Sequence, residues 1–262
     1  MNFLTEILDT PEKRREYFQE LSAKVELRGH QIWQYTPNSL LTYFANKASQ
    51  LEPELFDWIE QIPSGSVLYD MGASTGLYSV YAAIKGLNVY SFEPDVLNYS
   101  IFEVNHFLNK NLFAGKLHTC NLAVSNVTKL SEMHSGRFQY GAHNKILGKA
   151  EVREGGEFYE PEHVQSVLQV SIADAVAKFG FTAPEYIKMD IDGAELNAFK
   201  GMEQVLDNVK SIFVEISESN EDTSDLLALL ASKGFKEQKR FGVVQPDGSF
   251  YEGLFNVIFD RC

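Results

Sequence analysis

The feature that most constrains this chain is its rhythm from residue 66 onward, where short β-rich runs alternate with amphipathic helical segments. The runs are Ser66–Met71 (SVLYDM), Asn88–Phe92 (NVYSF), Lys116–Val124, Tyr186–Met189 and Ser211–Ile216 (SIFVEI). Helical segments are expected near Gly76–Ile84, Asp95–Leu108, Ile172–Phe179, Ala194–Leu206 and Thr223–Lys233. In Asp95–Leu108 the apolar Leu97, Ile101, Val104 and Leu108 recur every three or four residues and give one buried stripe. Strands alternating with such helices predict a parallel sheet covered on both faces. The rhythm breaks at the end, where Phe235–Phe241 and Leu254–Asp260 flank a Gln-Pro-Asp-Gly-Ser turn at 245–249. Two strands around a turn-rich loop predict a terminal antiparallel hairpin. The expected fold class is therefore α/β, doubly wound and mostly parallel, closed by that hairpin.

Residues 1–62 are expected to form an N-terminal helical extension, a lid or an interface. Its helices would run from Pro11 to about Val25, over Ser39–Ser49, and from Glu52-Pro53 to Gln61. An amphipathic stripe of Tyr17, Leu21 and Val25 suits either packing on the main domain, 63–262, or a homodimer surface. Residues 126–170, with His134, His143 and His163, are the irregular part. They are expected as an insertion at the strand tips, on the acceptor side, where doubly wound folds keep their ligands.

Composition narrows the function classes. A formal charge of −13 disfavours a phosphate-tracking surface, so no nucleic-acid partner is expected. Only Cys120 and Cys262 occur, too few for a disulfide framework or a CxxC metal site, which fits a reducing cytoplasm. The opening MNFLTEILDTPEKRREYF lacks the pattern of a signal peptide, and no apolar run approaches the roughly 18 residues of a membrane span. A cytoplasmic protein without a membrane span is expected.

The strongest local motif is VLYDMGASTGLYSV, Val67–Val80. A strand ends in Asp70, a glycine-containing turn follows, and Gly76 opens a helix, a layout that brings backbone N–H groups close to a ligand. Gly72 and Gly76 flank Ala73-Ser74-Thr75, so the middle glycine of a G-x-G-x-x-G dinucleotide cradle is missing. By itself such a turn equally describes a plain strand-to-helix connection. Glu93, 21 residues beyond Gly72 at the tip of the next strand, is placed to accept from both ribose hydroxyls. Asp95 is expected as a helix N-cap. Asn121-Leu122-Ala123 lies where an adenine would be lined.

Taken in order, DMGASTGLYS, SFEPD, NLAVSN and IKMDIDGAELNAFKGM resemble the FkbM-type family of S-adenosylmethionine-dependent methyltransferases. The likeness covers about residues 50–217, its last block being the most specific part, and Glu52-Pro53 matches a Glu-Pro common in that family before the first strand. Ser74 stands where Asn is common, Asp192 where Glu is usual, and Ala173 where an Asp is usual. The resemblance implies a seven-stranded, Rossmann-like methyltransferase sheet, S-adenosyl-L-methionine as cofactor, and O-methylation of a small-molecule, sugar or glycan acceptor. It implies that Asp70, Gly72, Ala73, Ser74 and Gly76 shape the methionine end of the site. Glu93 would hold the ribose, Asn121 and Ala123 would flank the adenine, and Asp190 would face the sulfonium and acceptor.

Methyl transfer to a hydroxyl gains from alignment and from a base. Asp190 and His143 (in YGAHNKI) are the catalytic candidates, although His143 also reads as an ordinary loop histidine. Glu52, Asp192 and Glu195 stand second, and no metal site is assigned. In KMDIDGAE, Lys188–Glu195, the Asp192/Glu195 spacing predicts a capping box at the following helix, with Lys188 neutralising Asp190 or snorkelling. Two other functions compete: a nicotinamide-dependent oxidoreductase, and a catalytically silent S-adenosylmethionine-binding protein.

Overall fold

The computed structural model describes residues 10–143, 145–148, 152–154, 157–245 and 248–262. Residues 1–9 of the expected extension, short pieces of the insertion, and Pro246-Asp247 of the expected terminal turn lie outside them.

The core sheet has seven strands: β3 (Val67–Met71), β4 (Asn88–Phe92), β5 (Lys116–Cys120), β12 (Tyr186–Met189), β13 (Ser211–Ser217), β14 (Phe235–Val244) and β15 (Phe250–Arg261). Their spatial order is β14-β15-β13-β12-β3-β4-β5. Strands β5, β4, β3, β12 and β13 pair in parallel, and β15 runs antiparallel between β13 and β14. Chain order reverses between β3 and β12, which opens a crevice beyond their carboxyl ends. Every residue of β3 is buried, as a central strand covered on both faces requires. Alternate side chains feed two cores. Leu68, Val89 and Leu117 pack with Val80 and Tyr81 of α4 (Leu77–Ile84) on one face. Tyr69, Met71, Ile187 and Met189 pack on the other with Leu196 and Phe199 of α7 (Glu195–Lys200) and Leu226 and Leu230 of α8 (Thr223–Ser232).

The N-terminal region is not wholly helical. Helix α1 (Pro11–Glu20) is followed by β1 (Ser22–Leu27) and β2 (His30–Tyr35), an antiparallel hairpin, and then by α2 (Ser39–Lys47) and α3 (Pro53–Gln61). Arg28 (φ 49°) and Gly29 (φ 82°) make the two-residue turn with both φ positive, which matches the twist of the flanking strands. Val25, Leu27, Ile32 and Gln34 are buried at every second position, so period 2 governs this stretch, not the helical period. Helix α5 (Val96–Asn109) acts as the hairpin's edge partner: Asn105 and Asn109 accept the main-chain N–H groups of Tyr35 and Trp33 at 2.7 and 2.9 Å. Asn105 also donates to the Thr75 carbonyl at 2.8 Å, tying the hairpin to the glycine turn.

The insertion also carries regular structure. β6 (Ala123–Val124), β7 (Lys129–Ser135), β8 (Lys145–Leu147) and β11 (His163–Val170) form a second sheet ordered β6-β11-β7-β8, and β9 (Val152–Glu154) pairs with β10 (Glu157–Tyr159). The expected strand Lys116–Val124 thus splits between two sheets. α6 (Ile172–Phe179) returns the chain to β12, and the helix expected to reach Leu206 stops at Lys200. Among the described residues no helix is long and apolar enough to cross a membrane.

Candidate active site at the carboxyl ends of β3, β4 and β12

The glycine turn and the tip of β12 are built as one unit. Gly72 and Ala73 both donate to the Phe92 carbonyl at 3.0 Å, which seats the turn on β4. Gly72 has φ 79°, and a Cβ there would overlap the Asp190 carbonyl oxygen, so only glycine lets the two tips touch. Gly76 (φ 82°) is held against the Phe102 ring in the same way. Ser74 between them is left-handed at φ 50°. Asp70, 1% exposed, accepts a short hydrogen bond from the Ser79 hydroxyl and does not face open solvent.

The counter-charge to Asp70 is Lys188, a residue whose type was visible in the sequence but whose partners were not. Its ammonium lies 3.3 Å from Asp70 Oδ1 and 3.8 Å from Asp190 Oδ2, and it donates to the Gly72 carbonyl at 2.7 Å. Burial opposes the ammonium, but Asp70, Asp190 and Glu52 outweigh it and hold Lys188 above its ordinary range. Lys188 therefore neither snorkels nor neutralises Asp190 alone. It fastens both halves of the crevice from below, and Asp190, with a side chain 37% exposed, keeps an open carboxylate at the tip.

At the neighbouring tip Glu93 is 5% exposed and accepts the Ser74 and Asp95 N–H groups at 2.8 and 2.9 Å, one on each carboxylate oxygen. Burial pushes its carboxyl up to about 7, against the pull of the Lys145 charge and those N–H donors. Asp95 caps α5 by accepting from Asn98 N at 2.8 Å. The Asn121 amide donates to the carbonyls of Glu93 and Pro94 at 2.8 and 3.0 Å, so it braces this loop. Ala123 is buried with Met133 and Val167 in the insertion's apolar cluster, where its side chain serves packing.

On the other flank the acids are redistributed. The capping box does not form: the N-cap of α7 is Ala194 with no side-chain cap, because Asp192 (φ 54°) and Gly193 (φ 91°) turn the chain left-handed before it. Glu195 folds back and accepts from Ile191 N and Gly193 N at 3.3 and 3.1 Å, and burial raises its carboxyl to about 7. Asp192 accepts from Lys145 N at 3.4 Å. Crowding by protein and the charge of Asp190 raise its carboxyl, while nearby His143 lowers it. Exposed His143 meets the Phe44 ring of α2 edge-on at 5.8 Å. Glu52 (φ 39°) accepts from the Asn256 amide at 2.9 Å; burial and then the Asp190 charge raise it. Glu215, on β13, was missed in the sequence; burial and four neighbouring acids, led by Asp190, bring it to about 9. A carboxyl inside the apolar run SIFVEI was the available signal. Asp190, Asp192, His143, Glu52, Glu195 and Glu215 thus share one mouth, whereas Asp70 lies beneath it. Among the described residues no three His, Cys, Asp or Glu side chains are set to hold a metal. A cavity of about 290 Å³ lies at the opposite end of the sheet beside Trp58, Tyr186 and Ser211, away from these groups.

Residues 70–237 match the model of the methyltransferase FkbM domain, most of the chain and every acid of this crevice except Glu52. The chain belongs to this family. Among curated relatives, methyltransferase sdnD of Sordaria araneosa is 27% identical over 197 residues, covering 68% of this chain and 76% of that protein. The 31-O-demethyl-FK506 methyltransferase FkbM of Streptomyces tacrolimicus is 21% identical, over 67% of this chain and 74% of its own. Among solved structures, magnesium protoporphyrin IX methyltransferase from Synechocystis PCC 6803 with bound SAM is 11% identical over 86% of this chain and 85% of that one, TM-score 0.49. TrmK of M. capricolum with S-adenosyl-homocysteine is 10% identical over 80% and 69%, TM-score 0.45. At these values the two solved structures say nothing of acceptor or site. This FkbM-domain protein is an S-adenosyl-L-methionine-dependent methyltransferase. Its residues fit that cofactor: the turn bare of side chain at Gly72, the Glu93 carboxylate at the next tip, and a buried Lys145 ammonium with no directed acceptor.

Proposed function

We propose that this enzyme methylates a hydroxyl oxygen of a small-molecule, sugar or glycan acceptor. The observation that carries the reading is Asp190: its main chain is fixed against Gly72, and its half-open carboxylate faces the same mouth as Asp192 and His143. One relative, the 31-O-demethyl-FK506 methyltransferase FkbM, is named for an O-demethylated substrate, which supports an oxygen acceptor.

Bound S-adenosylmethionine supplies an already activated methyl group, so the chain's own task is alignment, exclusion of water and handling of one proton. Asp70, Gly72, Ala73, Ser74 and Gly76 shape the methionine end, Glu93 takes the ribose, and Asn121 steadies the adenine side. Asp190 or His143 would accept the proton that the acceptor hydroxyl gives up as it takes the methyl group and S-adenosylhomocysteine leaves, a role worth about 10²–10⁴-fold. Glu52, Asp192 and Glu195 tune the charge around Asp190. Helix α2 with its N-cap Asn38 and the segment Tyr140–His143 wall the acceptor entrance, since Asn38 donates to the Tyr140 carbonyl at 3.0 Å and Phe44 meets His143.

A labelled-methyl transfer screen against sugar, glycan and polyketide hydroxyls tests the reading. Transfer to oxygen is expected, with Asp190→Asn and His143→Gln measured for loss of kcat at retained S-adenosylhomocysteine affinity. Transfer only to nitrogen or carbon acceptors would sink it.

A further inference from the structure

We propose that Lys145, carried by the insertion strand β8, contacts the adenosine part of the cofactor and closes that end of the crevice. This rests on the reading above, in which the cofactor lies across the tips of β3, β4 and β12.

Lys145 stands in an insertion, yet its side chain is only 9% exposed. Its ammonium is 3.0 Å from Asp95 Oδ1, close enough for an ion pair. The approach is off-line, however, and among the described residues no acceptor takes a directed hydrogen bond from Nζ. The Asp95 oxygen is already engaged by Asn98 N. An ammonium buried to this degree with idle donors is costly unless something fills them, and native structures seldom leave such groups unmet. The Lys145 charge also reaches Glu93, the proposed ribose acid. The ammonium thus pairs with Asp95 and also acts on the charge of Glu93. Adenosine offers suitable acceptors there, its ribose oxygens and ring nitrogens.

The main chain of the same residue points to the other end of the site. Lys145 N donates to Asp192 Oδ2 at 3.4 Å, in the loop beside Asp190. The segment just before it is latched independently, since Asn98 accepts from Gly141 N at 2.9 Å and donates to the Ala142 carbonyl at 3.3 Å. Removing only the ammonium should therefore spare the fold of this segment and change what the adenosine end can hold.

Calorimetric titration of the full chain with S-adenosylhomocysteine and with 5′-methylthioadenosine, on wild type, Lys145→Met and Lys145→Arg, tests this. A charge-assisted hydrogen bond lost from a buried site corresponds to about a ten- to hundredfold weaker Kd. Lys145→Met leaves the buried Asp95 carboxylate without its counter-charge and should lower the melting temperature, yet at a temperature where the variant is fully folded it should weaken both ligands by the same factor, and Lys145→Arg should recover most of that loss. If Lys145→Met unfolds, Lys145→Gln makes the same comparison. Wild-type affinity in the folded variant, or loss for S-adenosylhomocysteine alone, overturns the proposal. A folded wild type that binds neither ligand overturns instead the cofactor placement on which it rests.

Discussion

Replacing Lys188 by methionine isolates the interaction that joins the two halves of the crevice. The ammonium is 3.3 Å from Asp70 and 3.8 Å from Asp190. At an effective dielectric of ~20 those separations correspond to about 5 and 4 kcal/mol of attraction. The second is discounted, because Asp190 is 37% exposed and water screens it. Desolvation of Lys188 and Asp70, with side chains 5% and 2% exposed, offsets much of the first. Intact, the pair therefore adds little net stability. Broken, it strands a buried carboxylate at a cost of about 3–5 kcal/mol. For a urea m-value of roughly 3 kcal/mol/M, the Lys188→Met midpoint should fall by about 1–1.7 M. The double variant Asp70→Asn/Lys188→Met should recover about 2 kcal/mol or more of the summed losses, because neither charge is then left alone. Urea unfolding followed by circular dichroism at neutral pH reads all four corners of this cycle. A Lys188→Met loss under about 1 kcal/mol, or strict additivity in the double variant, would refute the assignment of Lys188 as the shared counter-ion.

Three further outcomes are expected. Glu93 titrates near 7, so if its carboxylate accepts from the ribose, S-adenosylhomocysteine should bind about tenfold tighter at pH 8 than at pH 6. Glu93→Gln should flatten that profile, and an equally steep profile in the variant would remove Glu93 as its source. The stability of the ligand-free chain follows the same acids with a worked sign. Glu93 and Glu195 are raised to about 7 from the ordinary 4.5, so the folded chain holds more protons than the unfolded one between those values. Stability should then rise by roughly 2–3 kcal/mol per group as pH falls from about 7.5 to 5, and Glu195→Gln should lose its share in urea melts. Gly72→Ala must both take up a left-handed φ of 79° and displace the Asp190 carbonyl. It should cost about 3 kcal/mol or more and abolish S-adenosylhomocysteine binding by calorimetry, whereas a well-folded variant with normal affinity would show that the two tips need not touch.

The parts of the molecule legible in the sequence are those fixed by burial along one short stretch. Asn88–Phe92, Tyr186–Met189 and Ile172–Phe179 fall at their expected bounds because a parallel core strand or a one-striped helix carries its pattern locally. The β1–β2 hairpin failed this test for a physical reason. Tyr17, Leu21 and Val25 lie at helical spacing, but Tyr17 and Leu21 are 46% and 44% exposed, and Val25 is buried as part of strand β1. The deciding signal was Arg28-Gly29 between alternating apolar residues, a short turn that outranks an accidental i, i+4 match. Capping failed in a similar way: Asp192 and Glu195 have the spacing, but Gly193 between them lets the backbone turn left-handed, and Glu195 then serves loop amides instead. The site's chemistry was legible as residue types and not as partners. Asn256 reaches Glu52 across 204 residues of chain, and Lys188 reaches Gly72 across 116, distances over which no local periodicity carries information. Such contacts are set by the strand order, which brings β3 beside β12 and β13 beside β15. KMDIDGAE therefore supplies the acids, while the sheet decides that Asp190 opens to the crevice, Glu195 holds the loop and Lys188 binds Asp70 beneath them.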